Sequence, residues 1–254
     1  MSALALEAVE LALGGRAVLR GVDLALEPGE LVGLVGRNGA GKTSLLRVAS
    51  GVRRPDSGVV RLGAVPLESL SRREVARRLA VVAQDSAIPF AFSVGEIVLM
   101  GRSPHLGLLG FETADDHALA EAALARLGIG DLASRSVLEL SGGERQLVMI
   151  ARALAQETEV LLLDEPTAHL DLPHQLQVLG LARVLAREGR AVLAVSHDLS
   201  LLARFCDRLA LLSDGRLEAG PPEALLRPDR VRAAFGVDVD LLHTPTGELL
   251  VVPR

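Results

Sequence analysis

Apolar positions alternate or cluster along residues 3–13 and stop at Gly14-Gly15, which predicts a strand and a turn. Residues 18–26 predict a second strand, closed by Pro28-Gly29-Glu30. Residues 31–35 are an uninterrupted apolar run, the pattern of a strand buried on both faces. After a glycine-rich loop, residues 44–50 predict a helix that Gly51 ends. A helix is predicted over 72–79 and a short strand over 79–83. From 93 to 155 the pattern is mostly helical, with Ala-, Leu- and Glu-rich stretches such as 115–127. Residues 160–163 then predict a buried strand that delivers Asp164-Glu165-Pro166 at its C-terminal end. A helix over 173–188 precedes a strand over 191–195, which ends at Ser196-His197-Asp198. Residues 209–212 and 216–219 flank Asp214-Gly215 as a hairpin, and 249–252 is strand-like after Thr246-Gly247. A helical middle between two strand-bearing parts predicts an α/β core interrupted by a helical subdomain.

Composition narrows the classes. The 254 residues are enough for a sizeable core, and the net charge of −5 gives no reason to expect nucleic acid as a partner. Cys206 is the single cysteine, so no intrachain disulfide can form. The N-terminus carries Glu7 and Glu10 and no basic region, so it does not read as a signal peptide. No apolar run reaches membrane-spanning length, so a membrane role is expected to be peripheral and through a partner.

The chemistry starts at Lys42, the single lysine, inside Gly36-Arg37-Asn38-Gly39-Ala40-Gly41-Lys42-Thr43. Lysine is a compact point charge, whereas arginine is a planar fork. The loop fits G-x-x-x-x-G-K-[ST], the phosphate-binding P-loop, a chance match on the order of one in a hundred for such a chain. Its strand–loop–helix setting turns backbone N–H groups and a helix N-terminus toward phosphate. Lys42 would reach the β- and γ-phosphates, and the Thr43 hydroxyl would ligate Mg²⁺. Asp164 offers the cation a hard oxygen, and Glu165 could polarise an attacking water. Alone, the pair would be explained equally well as a polar strand cap; the upstream P-loop favours the metal reading. Ser141-Gly142-Gly143-Glu144 opens a helical run, and both an anion site and a simple N-cap fit it. His197 and Gln84 each follow a predicted strand and together could sense a γ-phosphate.

In this order the segments resemble the ATP-binding cassette (ABC) family over nearly the whole chain. The resemblance implies a single domain of α/β class. It would comprise a P-loop NTPase (RecA-like) core, residues 1–86 and 159–254, with an N-terminal antiparallel β subdomain and an inserted helical subdomain, 87–158. It implies Walker A at 36–43, a Q-loop at Gln84, a signature at 140–144, Walker B at 160–164 and a D-loop at Ala168-His169-Leu170-Asp171. Glu165 is then the catalytic base and His197 the switch histidine, acting with Lys42. ATP would be held by Gly36, Arg37, Asn38, Gly39, Ala40, Gly41, Lys42, Thr43, Ser44 and Gln84, and by Ser141, Gly142, Gly143 and Asp171. Mg²⁺ would be held by Thr43, Gln84 and Asp164. In this family two cassettes pack head to tail, the Ser141 region of one facing the phosphate on the Lys42 of the other. A chain with one copy of each motif must therefore dimerise.

Two departures stand out. The family stacks adenine on an aromatic, but the chain has no Tyr or Trp, and Leu13 and Val18 offer only apolar contact. Lost stacking could cost roughly 1 kcal/mol or more. Arg37 stands where proline is common, in the variable part of the loop. By the resemblance, residues 88–94 correspond to the region that in transporter cassettes lines the groove for a coupling helix of the membrane subunit, although Phe90 and Phe92 would equally suit a subdomain core. Gly101-Arg102-Ser103-Pro104-His105 and Thr167-Ala168-His169-Leu170-Asp171 are similar to importers for iron–siderophore, haem and cobalamin. The resemblance thus implies an ATPase bound to permease subunits at the cytoplasmic face of the inner membrane, served indirectly by a substrate-binding protein. A soluble ATPase of the iron–sulfur assembly type and a non-hydrolysing scaffold are the alternatives.

Overall fold

The computed structural model describes residues 1–84, 90–107, 110–168, 170–245 and 247–254. The chain opens with an antiparallel hairpin, β1 (Leu4–Leu13) and β2 (Arg16–Leu26), turned at Gly14-Gly15. β3 (Leu31–Val35) runs through the glycine-rich loop into α1 (Lys42–Ala49). Next come β4 (Ser57–Leu62), the two-residue β5 (Val65–Pro66), α2 (Arg72–Arg78) and β6 (Leu79–Val82). α3 (Val94–Leu99), α4 (Ala114–Arg126) and α5 (Gly142–Ala155) precede β7 (Val160–Asp164). Then follow α6 (Leu172–Arg187), β8 (Ala191–Val195), α7 (Leu199–Phe205) and the hairpin β9 (Arg208–Ser213) and β10 (Arg216–Gly220). The chain closes with α8 (Pro222–Leu225), α9 (Pro228–Phe235) and a second hairpin, β11 (Val239–His243) and β12 (Leu249–Pro253).

A six-stranded sheet of order β10-β9-β3-β8-β7-β6 forms the centre, parallel except for the edge strand β10. A four-stranded antiparallel sheet, β2-β1-β4-β5, lies against it. The central strands are apolar without interruption because both of their faces are covered. Alternate residues enter different cores. Leu31, Leu161, Leu163, Val192 and Leu209 pack with the helical side. Val32, Leu34, Leu162, Leu193 and Leu212 pack with α1 and the antiparallel sheet. Truncating a buried leucine of this kind to alanine costs about 2–5 kcal/mol. The helices between β6 and β7 share the first core with the sheet, through Val94, Ile97, Leu124, Leu147 and Ile150.

The α/β class expected from the pattern is what the chain adopts, with most elements within two residues of their expected ends. α1 begins at Lys42 rather than 44 because Gly41 is its N-cap, at φ 107°. β4, β5, α7, α8, α9 and β11 are not legible in the hydropathy pattern. β4 has only Val60 and Leu62 buried and owes its extended form to pairing with β1. β11 is the register partner of the strand-like 249–252 segment. Thr246, part of the turn expected there, lies outside the described residues.

Candidate nucleotide-binding and hydrolysis site

The P-loop leaves the C-terminal end of β3, between β9 and β2. Both boundaries require glycine. A Cβ on Gly36 would stand 2.4 Å from Leu212 O, and one on Gly41 would stand 2.8 Å from Val18 Cγ1. Gly41 also holds a left-handed φ, which side chains disfavour. Lys42 therefore opens α1 pointed back into its own loop. Its ammonium, 6% exposed, donates to Gly36 O at 2.7 Å and Arg37 O at 3.2 Å. Burial lowers the Lys42 pKa, while the charges of Glu165 and Asp164 oppose that shift. Asp164, buried at the end of β7, is pushed the other way: burial raises it first, then Glu165. The Thr43 hydroxyl bonds to its carboxylate and, with Lys42 and Arg47, holds it down. Arg47 was not singled out by the motif reading; its place in the last turn of α1 is the only sequence signal. Arg37, Asn38, Gly39 and Thr43 are exposed, and Ala40 and Ser44 half-buried. A point cation, backbone amides, a hydroxyl and a carboxylate thus stand together, a donor set that suits a phosphate chain with a hard divalent cation.

Glu165 is the centre of a second cluster. It sits at φ 49°, a left-handed conformation costing a non-glycine residue about 1–2 kcal/mol. Gln84 Nε2 donates to Glu165 Oε2 at 3.0 Å, and His197 Nε2 meets the other carboxylate oxygen. Topology explains the meeting. Gln84, Glu165 and His197 each follow a parallel strand, and β6 and β8 are the two neighbours of β7. Ligands of open α/β sheets bind at such carboxyl ends. Gln84 and His197, each expected to follow a strand, are thus brought together on Glu165.

Ser141 and Asp171 make local capping bonds instead. Ser141 caps α5: its hydroxyl accepts from Glu144 N at 3.2 Å, and Glu144 Oε2 accepts from Ser141 N at 2.8 Å. Those bonds, the backbone one first, hold the Glu144 carboxyl below its usual range. A Cβ on Gly142 would meet open space, and one on Gly143 would lie 3.2 Å from Leu170 Cδ2. Asp171 caps α6 through His174 N at 3.2 Å, and the His174 ring holds its carboxyl low. Among the described residues, the hydrogen bonds of Ser141 stay within its own capping box rather than reaching Lys42. His169 of the expected D-loop lies outside the described residues, as do Ile88 and Pro89 of the expected coupling segment. Phe90 is 65% exposed and edge-on to Phe92 at 6.1 Å. Leu13 and Val18 are half-buried, and Val18 packs beside Gly41 of the loop.

Residues 19–168, more than half of the chain, match the ABC transporter family, ABC_tran. The chain belongs to the ABC transporter family. Membership implies ATP binding. The cassette is 46% identical over 248 residues to the cobalamin import ATP-binding protein BtuD of Halobacterium salinarum. That alignment covers 96% of the cassette but 62% of the longer relative, so the chain spans less than two thirds of that protein. It is also 46% identical over 256 residues to the hemin import ATP-binding protein HmuV of Bordetella pertussis, covering 96% and 97% of the two chains. Among solved structures, an inward-facing transporter described as of metal-chelate type superposes with a TM-score of 0.87. The two share 30% identity over all of the cassette and 98% of that chain. No described helix is long and apolar enough to cross a membrane.

Proposed function

We propose that this chain is the ATP-hydrolysing subunit of an importer for an iron chelate, haem or cobalamin. It works as a head-to-tail homodimer, docked peripherally on membrane permease subunits at the cytoplasmic face and served indirectly by a substrate-binding protein. The observation that carries the reading is the convergence of Gln84 and His197 on Glu165, beside Lys42, Thr43 and Asp164.

In this reading the amides of 36–43 and the Lys42 ammonium hold the β- and γ-phosphates, with Ser44 at the first turn of α1. Thr43, Asp164 and Gln84 would hold Mg²⁺, which would supply neutralisation of phosphate charge. Glu165 orients the attacking water and takes its proton; His197, 47% exposed, turns from Glu165 to the γ-phosphate oxygen. Ser141, Gly142 and Gly143 of the partner subunit close the site over the phosphate, with Asp171 at the same seam. Leu13 and Val18 give the base apolar contact without stacking.

For the permease we propose a cavity of about 630 Å³ between α1, β4 and α2. Val52, Val60, Leu67 and Val75 line it together with Arg53, Arg54 and Arg72. Its mixed apolar and basic lining suits an apolar helix with acidic flanks, and α2 leads through β6 to Gln84. The cargo class rests on the import functions named for the two relatives.

Glu165→Gln is the test. It should bind ATP, accumulate as an ATP-dependent dimer on size exclusion and lose turnover by about a hundredfold or more. Wild-type hydrolysis by that variant sinks the base assignment. Co-purification without any polytopic membrane protein would favour the soluble alternative. ATPase stimulation by haem-loaded against cobalamin-loaded binding protein, with the permease in vesicles, separates the cargoes.

A further inference from the structure

The segment Gly101-Arg102-Ser103-Pro104-His105, a marker of importer type at the level of sequence, is a mechanical joint in the structure. Arg102 is 7% exposed. Its Nε donates to Asp116 Oδ1 at 2.9 Å, at the start of α4. Its Nη1 donates to Ala155 O, at the last residue of α5, at 2.8 Å, and to Glu157 Oε2 at 3.0 Å. The planar guanidinium spreads its donors over all three acceptors at once. Gly101 lies directly under α5, where a Cβ would come within 2.2 Å of Arg152 O. His105 Nε2 donates to Gln156 O at 2.9 Å. From the other side, Arg73 and Arg77 of α2 both donate from Nε to Pro104 O, at 2.9 and 2.8 Å, and Arg73 also reaches Leu106 O. Gln156 closes the ring by donating to Ala76 O and, at 3.0 Å, to Leu79 O.

Each side of this joint ends at the proposed ATP site. α5 is a rod of 14 residues, about 21 Å long, with Ser141 at its far end. α2 passes directly into β6, and Gln84 follows two residues after β6 ends at Val82. A tilt of α5 at its C-terminal end is therefore shared between Ser141 and Gln84. We infer that Arg73, Arg77 and Arg102 are positioning residues that set the Ser141 helix against the Gln84–Glu165 pair. This rests on the ATP-sandwich reading above.

Arg102 is too deeply buried for a clean test, since its removal strands Asp116 in the core. Arg73 and Arg77 are exposed and, among the described residues, their hydrogen bonds go to backbone oxygens, so Arg73→Met with Arg77→Met should leave the fold intact. The variant pair is placed in the Glu165→Gln background and compared with that parent. Three quantities are read: affinity of the monomer for a fluorescent ATP analogue, melting temperature, and the ATP concentration giving half-maximal dimer by sedimentation. Monomer affinity and melting temperature should stay at the parent values, while the dimerisation midpoint rises about threefold to tenfold. Arg73→Lys with Arg77→Lys should recover part of that loss. An unchanged midpoint overturns the joint, and so does a loss of melting temperature and nucleotide affinity together, which marks a merely structural role. If the Glu165→Gln parent itself stays monomeric with ATP, the sandwich reading fails first, and the joint falls with it.

Discussion

The two halves of the proposed site are built on opposite terms. Around the P-loop, polar groups press on one another. Lys42 is buried against its own loop carbonyls, Asp164 is buried beside another carboxylate, and Glu165 holds a left-handed backbone. At Ser141 nothing is pressed: hydroxyl, amide and Glu144 carboxylate satisfy one another, and Gly142 faces open space. The first half holds its geometry through contacts reaching across β2, β3, β7, β8 and β9. The second is a relaxed helix end whose usefulness depends on where the helix stands. In the proposed site, strain thus falls where chemistry would be prepared, and relaxation where a group would be delivered.

Lys42→Ala should break the first half most severely. Nucleotide affinity should fall about tenfold to a hundredfold, the scale of one charge-assisted hydrogen bond, measured by calorimetric titration with ATP. Its bonds to Gly36 O and Arg37 O stay within its own loop, so the nucleotide-free protein should melt close to wild type. A large drop in melting temperature would show Lys42 to be a structural group instead. Ser141→Ala should show the reverse character. Loss of the cap lowers unfolding stability by about 1 kcal/mol in urea, and ATP binding by the monomer stays unchanged. Dimerisation of the Glu165→Gln background should nevertheless weaken. A variant that dimerises at the parental ATP concentration would remove Ser141 from the interface.

The smallest effect should come from acid, acting on the joint that sets the two halves against each other. Arg102 beside it, with bonds from Thr113, holds the Asp116 carboxyl at about 2, below its ordinary 3.8. Because the folded-state value is depressed, this contribution to stability is complete above about pH 4. It disappears as pH falls through about 2. Urea midpoints should decline over that window, and Asp116→Asn should flatten that part of the decline. An equal decline in both proteins would assign the acid sensitivity elsewhere.

Much of the P-loop half was legible because its residues are contiguous: glycines, Lys42 and Thr43 fall in one loop between a strand and a helix. Capping was legible for the same reason, since Ser141 and Glu144 are three residues apart. Gln84 and His197 could be suspected, each standing after a strand, but nothing local said that both would touch Glu165. The pattern was silent on β4 and β11, short strands whose form is decided by pairing. The 101–105 segment was legible only as a likeness to importers. Its partners at Arg73, Arg77, Asp116 and Ala155 lie up to 53 residues away in sequence.

By itself the sequence determined the α/β class, the phosphate loop and the family, because hydropathy period, glycine placement and motif spacing are local properties. Tertiary structure alone decided that β6 and β8 flank β7, which brings Gln84 and His197 onto Glu165. It alone decided that Arg102 is buried against Asp116, Ala155 and Glu157. Strand order and helix packing follow from how two cores divide one sheet, a balance over the whole chain that no single segment records.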